Sequence, residues 1–324
     1  MAIVLCVPEV AAQTRRQKIK AQVDSLLSAR YFKSPYDTNY VIRPEGRLTL
    51  KVRVNQSGND FHARGKTDDF QSRADLKTIH KTTLSIAANY RGISAALAVN
   101  PAKLSGFYKD YEMNLNYYSS SLSLDASYQR STTLSGDIER NNHSERLESG
   151  DITLKILNVA GYYVFNNQRF SYPAAFTQSY IQCRSAGSWL AGISYQGGSL
   201  TTTDELKERN PNAPDTRIHL GHFGIGGGYG YNWVIGKKWM LHFSMMPTFV
   251  VYNRNNFTVN GERKRAKHTR FNMLFNERAA IVYNFSPRYF TGITLTMNNS
   301  VFSDDIVIVN QNKWRARAFL GLRL

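Results

Sequence analysis

Alternation of apolar and polar side chains with a period of two constrains this chain more than any other feature. At the C-terminus, over 313–324, one face is apolar and the other basic: Trp314, Ala316, Ala318, Leu320, Leu322 and Leu324 against Arg315, Arg317 and Arg323. Segment 47–54 repeats the pattern: Leu48, Leu50, Val52 and Val54 against Arg47, Thr49, Lys51 and Arg53. This period is typical of a β-strand that has one dry face and one wet face.

Composition excludes a helical membrane protein but is compatible with a membrane barrel. The 324 residues are 42% hydrophobic with a mean hydropathy of −0.41, and they contain no run of the roughly 20 apolar residues that a membrane-spanning helix needs. Barrel strands carry their apolar band in alternation, so a low mean hydropathy does not argue against them. The 19 Tyr, 17 Phe and 22 Gly favour β-structure.

Turn residues divide the chain into about twelve alternating segments. The segments are 47–54, 81–90, 92–99, 111–118, 121–129, 152–165, 187–196, 218–233, 238–252, 268–285, 288–297 and 313–324. Tight links at 91–92, 119–120, 235–237 and 286–287 alternate with long polar links at 55–80, 131–151, 200–217, 253–267 and 298–312. The chain is therefore predicted to be all-β: a closed antiparallel transmembrane β-barrel of about twelve strands with meander topology.

Aromatic residues cluster beside the tight links, at Tyr90, Tyr117, Tyr118, Trp233, Trp239, Tyr283 and Tyr289. Membrane barrels place Tyr and Trp at the lipid headgroup level, because one end of each ring is apolar and the other can form hydrogen bonds. The cluster therefore favours lipid around the outside of the barrel. The alternative is that the same rings fill the interior of a soluble β-sandwich.

Three parts of the chain are expected. Residues 1–13 resemble an export signal, 14–46 form a periplasmic N-terminal segment and linker, and 47–324 form the barrel. The two cysteines, Cys6 and Cys183, support neither a disulfide framework nor a zinc site. The expected location is the bacterial outer membrane with both termini in the periplasm, while the oligomeric state stays open.

Closure of the barrel would gather basic residues on its inner wall, because it makes the first and last strands neighbours. The predicted stripe in the lumen consists of Arg47, Lys51, Arg53, Arg315, Arg317 and Arg323. Like charges in a lumen need water, counter-ions or acidic partners, and Glu112 and Asp125 fall on polar strand faces elsewhere in the wall. We expect this stripe to bias any pore toward anions and to favour an anionic small solute.

A second basic cluster lies in a long link, at Arg263, Lys264, Arg265 and Lys267. We expect this external loop to contact outer-membrane lipids, including phosphorylated lipid of the outer leaflet, although a solvated run of charges is an equal alternative. The net charge of +17 could also attract nucleic acid. We expect no nucleic-acid partner, because the basic residues are dispersed and no recognition helix or zinc-finger spacing accompanies them.

The link 166–186 is long although it lies on the side of the tight turns. Its candidate plug or cap residues are Arg169, Phe170, Tyr172, Pro173, Phe176 and Tyr180. The aromatic members provide enough apolar surface to order the segment. It is expected to plug the lumen, to contact a periplasmic partner, or to serve as a structural cap.

No catalytic, cofactor-binding or metal-binding residues are predicted, and no cofactor is expected. Four histidines lie on neighbouring predicted strands, at His219, His222, His242 and His268, but no H-E-x-x-H or G-x-S-x-G motif accompanies them. The glycines between 224 and 230 do not fit a phosphate-binding loop, and they are expected to be small lumen residues behind an outward aromatic row. The expected function is solute passage or binding, or anchoring in the envelope. The alternative is a lipid-modifying enzyme with a site at the barrel rim.

Several motifs are similar to those of one family. They are Asp37-Thr38-Asn39-Tyr40-Val41, Asn100-Pro101-Ala102-Lys103-Leu104, Gly161-Tyr162-Tyr163-Val164-Phe165-Asn166, Arg169-Phe170-Ser171-Tyr172-Pro173-Ala174-Ala175-Phe176 and Arg184-Ser185-Ala186-Gly187-Ser188-Trp189. Together they resemble the Bacteroides-type barrel family called domain of unknown function 4421, over nearly the whole chain after Ala29. The resemblance implies an outer-membrane barrel and supplies no catalytic residue.

Overall fold

The chain forms a β-barrel, seen here in a computed structural model that describes residues 35–46, 48–65, 72–90, 93–99, 110–140, 143–265, 272–303 and 307–324. Its strands are β1 (Val41–Ile42), β2 (Leu48–Gly65), β3 (Ser72–Thr78), β4 (Lys81–Tyr90), β5 (Ile93–Val99), β6 (Tyr111–Tyr118), β7 (Leu122–Ser131), β8 (Leu134–Arg140), β9 (His143–Leu147), β10 (Ile152–Val164), β11 (Ile181–Gln182), β12 (Ala186–Thr202), β13 (Thr216–Ile235), β14 (Trp239–Asn253), β15 (Asn256–Val259), β16 (Glu262–Arg265), β17 (Met273–Asn284), β18 (Tyr289–Ser303) and β19 (Val307–Arg323). In the described residues two short helices, α1 (Tyr172–Phe176) and α2 (Asp204–Arg209), interrupt them.

Within the described ranges, twelve strands close into one antiparallel ring. Its order is β2, β4, β5, β6, β7, β10, β12, β13, β14, β17, β18 and β19. The last strand pairs with the first, with Ala318 opposite Val54 and Arg323 opposite Thr49. This closure leaves no strand edge unpaired at the seam. The prediction of a closed antiparallel transmembrane β-barrel of about twelve strands is confirmed.

One end of the barrel carries the tight turns and the other carries long extensions. At the turn end, short connections join β6 to β7, β13 to β14 and β17 to β18, and the backbone of Leu48 bonds that of Leu324. At the loop end, β3, β8, β9, β15 and β16 pair beyond the ring. In the described ranges, the long polar links are therefore largely β-ribbons, because strands such as β2 continue past the apolar belt.

Apolar side chains cover the outside of the ring. The most exposed members include Leu97, Met113, Trp189, Ile225, Phe243, Ile293 and Leu320. Their neighbours along each strand point inward and are mostly polar or small, such as Ser194 and Thr294, which are 3% and 5% exposed. Monomeric soluble proteins rarely expose an apolar surface that is continuous around the whole molecule, whereas membrane barrels require one. Among the residues that the structure describes, no helix is long and apolar enough to cross a membrane.

Glycines on β13 allow close packing inside the ring. A Cβ atom on Gly226 would lie 2.0 Å from the Pro247 carbonyl oxygen on β14, and one on Gly228 would lie 2.0 Å from the Met245 carbonyl oxygen. The exposed side chains of Ile225 and Tyr229 alternate with them on the outer face. This arrangement agrees with the expected pattern of small lumen residues behind an outward apolar row.

An arginine in the middle of the belt should destabilise the barrel in lipid. Ile293 is 54% exposed on β18, and Ile293→Arg is expected to lower the free energy of unfolding by about 2–4 kcal/mol in vesicles. The control Val259→Arg changes an exposed residue on the loop-end strand β15 and should cost less than about 1 kcal/mol. Denaturant titration in vesicles measures both values, and equal costs would contradict a lipid-facing belt.

Candidate functional site

The link between β10 and β12 folds into the barrel at its turn end. We call residues 166–185 the plug segment, and its centre is helix α1. The Ser171 side chain caps this helix by accepting a hydrogen bond of 3.2 Å from the Ala174 backbone nitrogen, which satisfies one of the donors that a helix start leaves free. Phe170 and Tyr172 are 0% and 2% exposed. The segment is therefore packed into the lumen.

Aromatic packing fixes the position of the plug segment. The Tyr172 ring lies 5.2 Å from the His242 ring on β14 and 6.1 Å from the Tyr118 ring on β6, measured between centroids. Phe176 lies 5.1 Å from His242 and 5.5 Å from Tyr118. Because β6 and β14 stand in opposite parts of the ring, the two plug rings bridge the lumen.

Two members of the predicted basic stripe hold the plug segment. The Lys51 amine donates to the Gln178 side-chain oxygen at 2.8 Å and to the Thr177 carbonyl oxygen at 3.1 Å. The Arg323 Nε donates to the Gln178 carbonyl oxygen at 2.7 Å, and another of its nitrogens reaches Asn284 Oδ1 at 2.9 Å. Lys51 and Arg323 are 6% and 2% exposed, so these acceptors replace the water that a buried cation would otherwise need.

Residues 40–42, which precede the barrel strands, contact the plug segment at the turn end. Strand β1 pairs with β11, which places Val41 opposite Gln182 and Ile42 opposite Ile181. The Arg169 guanidinium lies 5.0 Å from the centre of the Tyr40 ring, an attractive arrangement of a cation over an aromatic face. The predicted linker thus ends as part of a cap under the barrel, while 1–34 of the predicted signal and segment lie outside the described residues.

Ion pairs cross the lumen above the plug segment. Glu112 on β6 bonds Arg315 on β19 and lies 3.6 Å from the Lys313 amine. Asp125 on β7 lies 2.6 Å from an Arg278 nitrogen on β17 and accepts a hydrogen bond of 2.5 Å from the Tyr118 hydroxyl. Each pair joins strands that are far apart in the ring. The carboxylates supply the acidic partners that a basic lumen requires.

The other members of the stripe take different positions. Arg53 donates to the Ser85 hydroxyl at 3.1 Å, and Arg317 lines a polar cavity of about 40 Å³ between the ion pairs. Arg47 lies outside the described residues. The structure therefore brings Lys51 and Arg323 to the plug segment, and Arg53, Arg315 and Arg317 to the middle of the lumen.

A larger, apolar cavity opens at the loop end. Its volume is about 240 Å³, and we call it the loop-end pocket. Its apolar lining comes from the ring strands and from the extensions: Phe61, Ala63, Ala74, Leu76, Ile138, Leu147, Ile152, Leu154, Leu200, Leu206, Ala213, Ile218, Phe257 and Phe302. Leu206 on helix α2 and Leu147 on β9 are each 3% exposed. The extensions therefore form an apolar roof over the barrel mouth.

A chain of side-chain amides adjoins the pocket. Gln196 on β12 donates to the Gln311 side-chain oxygen at 2.6 Å, and Gln311 on β19 donates to Asn59 Oδ1 at 3.0 Å. Gln196 and Gln311 both line the pocket. These amides are among the polar groups, with Glu145 and His222, that would meet a ligand entering a mainly apolar space.

The external basic loop is only partly within the described ranges. Arg263, Lys264 and Arg265 are exposed on β16, and Lys267 lies outside the described residues. Arg263 and Arg265 share one face of the ribbon, whereas Lys264 alternates to the other face and pairs with Phe257.

The histidines do not converge on one site. His242 packs against the plug segment, His222 stacks on Phe302 at 3.6 Å beside the pocket, and His219 is exposed on the outer wall. His268 lies outside the described residues. In the described part of the chain no three His, Cys, Asp or Glu residues are grouped as metal ligands. The alternative of an enzyme with a rim site stays a prediction.

One histidine, His62, pairs with an aspartate at the loop-end rim. His62 Nδ1 and Asp75 Oδ1 are 2.6 Å apart on β2 and β3. Hydrogen bonds from His62 and from Arg73 lower the pKa of the Asp75 carboxyl. This contact ties the two extension strands together.

Sequence reasoning missed the loop-end pocket, and although it placed Glu112 and Asp125 on polar strand faces, it did not assign them to particular lumen cations. A signal for the pocket was present, since Phe61 and Ala63 continue the alternation of β2 into the link 55–80. The contact of Arg315 with Glu112 has no signal in one sequence, because it depends on which residues the barrel places at the same height.

Comparison with solved structures finds barrels of the outer membrane at low identity. The outer membrane protease OmpT from Escherichia coli is 10% identical, with 87% of this chain and 97% of that chain covered and a TM-score of 0.46. OprG from Pseudomonas aeruginosa is 9% identical, with 87% and 97% covered and a TM-score of 0.30. An outer membrane channel from Pseudomonas putida F1 is 11% identical, with 89% and 99% covered and a TM-score of 0.28.

No curated protein matches the chain. The family described as domain of unknown function, DUF4421, matches residues 35–323. That range includes the plug segment, every ring strand and the loop-end extensions. The chain therefore belongs to the DUF4421 family, as its motifs indicated.

Proposed function

We propose that this chain is an outer-membrane barrel that binds a small apolar solute in its loop-end pocket and whose lumen is closed to free diffusion. The turn end, where β2 begins and β19 ends, faces the periplasm, and the loop end faces outward. The observation that carries the proposal is the apolar cavity of about 240 Å³ at the loop end, which lies beyond a lumen filled by the plug segment and the ion pairs.

The outer belt supports a membrane location. On β13 the outward residues run from Phe223 to Trp233, and ten residue steps at about 3.3 Å each give a length of about 33 Å along the strand. With the usual strand tilt, this length corresponds to an apolar height of about 25 Å, which suits an outer-membrane barrel. Trp233, Trp239 and Tyr289 lie at the turn end, where aromatic side chains suit the headgroup region.

The occupied lumen favours binding over an open channel. Lys51 and Arg323 bond atoms of the plug segment, and Arg315 bonds Glu112. These cations are thus already paired with acceptors of the protein. The pocket, in contrast, presents mainly apolar side chains, so an apolar molecule with one polar group suits it better than a small anion.

Filling the pocket should abolish ligand binding. Ala63 and Ala74 face each other across β2 and β3 and both line the pocket. Ala63→Phe is expected to weaken binding of the probe 1-aminoanthracene at least tenfold, because the new ring occupies the space of the ligand. Fluorescence titration of the protein in lipid nanodiscs measures the affinity, with empty nanodiscs as the blank.

The matched control is Ala318→Phe, which adds the same ring on the lipid-facing side of β19. It should leave probe affinity unchanged within about twofold. Heat-modifiable gel mobility verifies that both variants fold. A wild-type protein that binds no probe, or two variants that bind it equally, would contradict the proposed function.

Removing the plug segment should open the lumen. The intact protein is expected to give no steady conductance in a planar bilayer, whereas deletion of 171–180 should give an ohmic current. The freed cations Lys51 and Arg323 should then make the pore select anions, as the basic stripe predicts. Reversal potentials in a salt gradient measure the selectivity.

The control deletion, 256–265, removes the same length of chain from the β15 and β16 ribbon and should stay silent. A steady current through the intact protein, or a silent barrel after the 171–180 deletion, would show that the plug segment does not close the lumen. Cation selectivity would instead remove the role assigned to the basic stripe.

A further inference from the structure

A group of basic residues lies on the outer wall of the barrel at its loop end, apart from the lumen. We call Arg217, His219, Arg254, Arg263 and Arg265 the basic face. Cross-strand register aligns its members, because Arg217 on β13 pairs with Thr258, which pairs with Arg263 on β16. In the next row His219 pairs with Asn256, which pairs with Arg265. Residues opposed across strands lie on the same side of a sheet.

The basic face points outward. His219 alternates with Ile218 and Leu220, which line the loop-end pocket, so His219 lies on the opposite side of the wall. All five members of the basic face are exposed. Three members, His219, Arg254 and Arg263, border a shallow cleft on the outer wall. Tyr195 and Tyr252 line the same cleft. A molecule beside the barrel can therefore reach these cations without entering the lumen.

The basic face lies directly above the apolar belt. Tyr195, Phe223 and Tyr252 pair with one another across β12, β13 and β14 and form the last aromatic row. The next position on β12 that points outward is Gly197, where a Cβ atom would lie 2.3 Å from the Tyr195 hydroxyl oxygen. The Tyr195 hydroxyl thus points from the belt toward the cations. This is the height at which lipid headgroups meet a membrane barrel.

The charge of this region is predominantly positive. The row that contains His219 continues through Ser199 to Lys155 on β10 and to Arg130 on β7, both exposed. Glu262 alternates with Arg263 and therefore belongs to the other side of its ribbon. Asp215 lies above the rows, 3.5 Å from the Lys207 amine, which compensates its charge.

We propose that the basic face binds the phosphate groups of a phosphorylated lipid in the leaflet that faces the loops. Guanidinium groups match phosphate oxygens in geometry and charge, and the adjoining aromatic row would contact the acyl chains of the same lipid. A soluble anion gains nothing from the aromatic row, which is why the position favours a lipid. The inference rests on the proposed membrane location and is independent of the loop-end pocket.

Native mass spectrometry of the detergent-solubilised full chain tests the proposal. The probe is bisphosphorylated lipid A, titrated against the wild type and against the triple variant Arg217→Gln, Arg254→Gln, Arg263→Gln. The variant is expected to bind at least tenfold more weakly, and the affinity of the wild type should fall by a similar factor for lipid A without phosphates. Higher salt should weaken the binding, because the contacts are exposed ion pairs.

The control triple variant, Arg64→Gln, Lys77→Gln, Arg146→Gln, removes the same charge from exposed positions outside the basic face and should bind within about twofold of the wild type. Equal losses in the two variants, or unchanged binding in the first, would overturn the proposal. Displacement of the lipid by inorganic diphosphate or by a DNA oligonucleotide at equal concentration would also overturn it. Insertion into vesicles, measured in parallel, separates failure of this inference from failure of the membrane location.

Discussion

The need to provide acceptors for buried cations organises the interior of this barrel. A cation taken out of water is costly unless nearby oxygens replace its hydration. Lys51 and Arg323 obtain these oxygens from the plug segment, and Arg315 and Arg278 obtain them from Glu112 and Asp125 across the lumen. The basic wall, the plug segment and the two carboxylates are therefore one arrangement, in which removing any part leaves a buried charge without its partner.

This arrangement divides the barrel into layers along its axis. The plug segment and the β1–β11 pair fill the turn end, the ion pairs fill the middle, and the apolar pocket lies at the loop end. Access to the pocket is consequently from one side. The layers also differ in chemistry, since ion pairs join opposite walls in the middle of the barrel and mainly apolar side chains line the pocket at the loop end.

The ring strands could be predicted from the sequence, because a wall between lipid and a polar lumen imposes a period of two on each strand. The strands β4 and β6 begin and end where alternation predicts. The extensions were not predicted, although Phe61 and Ala63 continue the alternation of β2, because most residues of the link 55–80 are polar. Contacts across the lumen, such as Lys51 with Gln178, depend on ring size and register, which alternation along one strand does not contain.

The central claim is that lipid surrounds the ring while protein fills it. Nitroxide labels placed one at a time along 290–297 of β18, in a cysteine-free background in vesicles, test both halves of that claim by electron paramagnetic resonance. The account predicts that oxygen dissolved in lipid reaches the odd positions, such as 291, 293 and 295, and that even positions are reached neither by oxygen nor by a water-soluble nickel chelate. Odd positions protected from oxygen, or even positions open to the chelate, would contradict it.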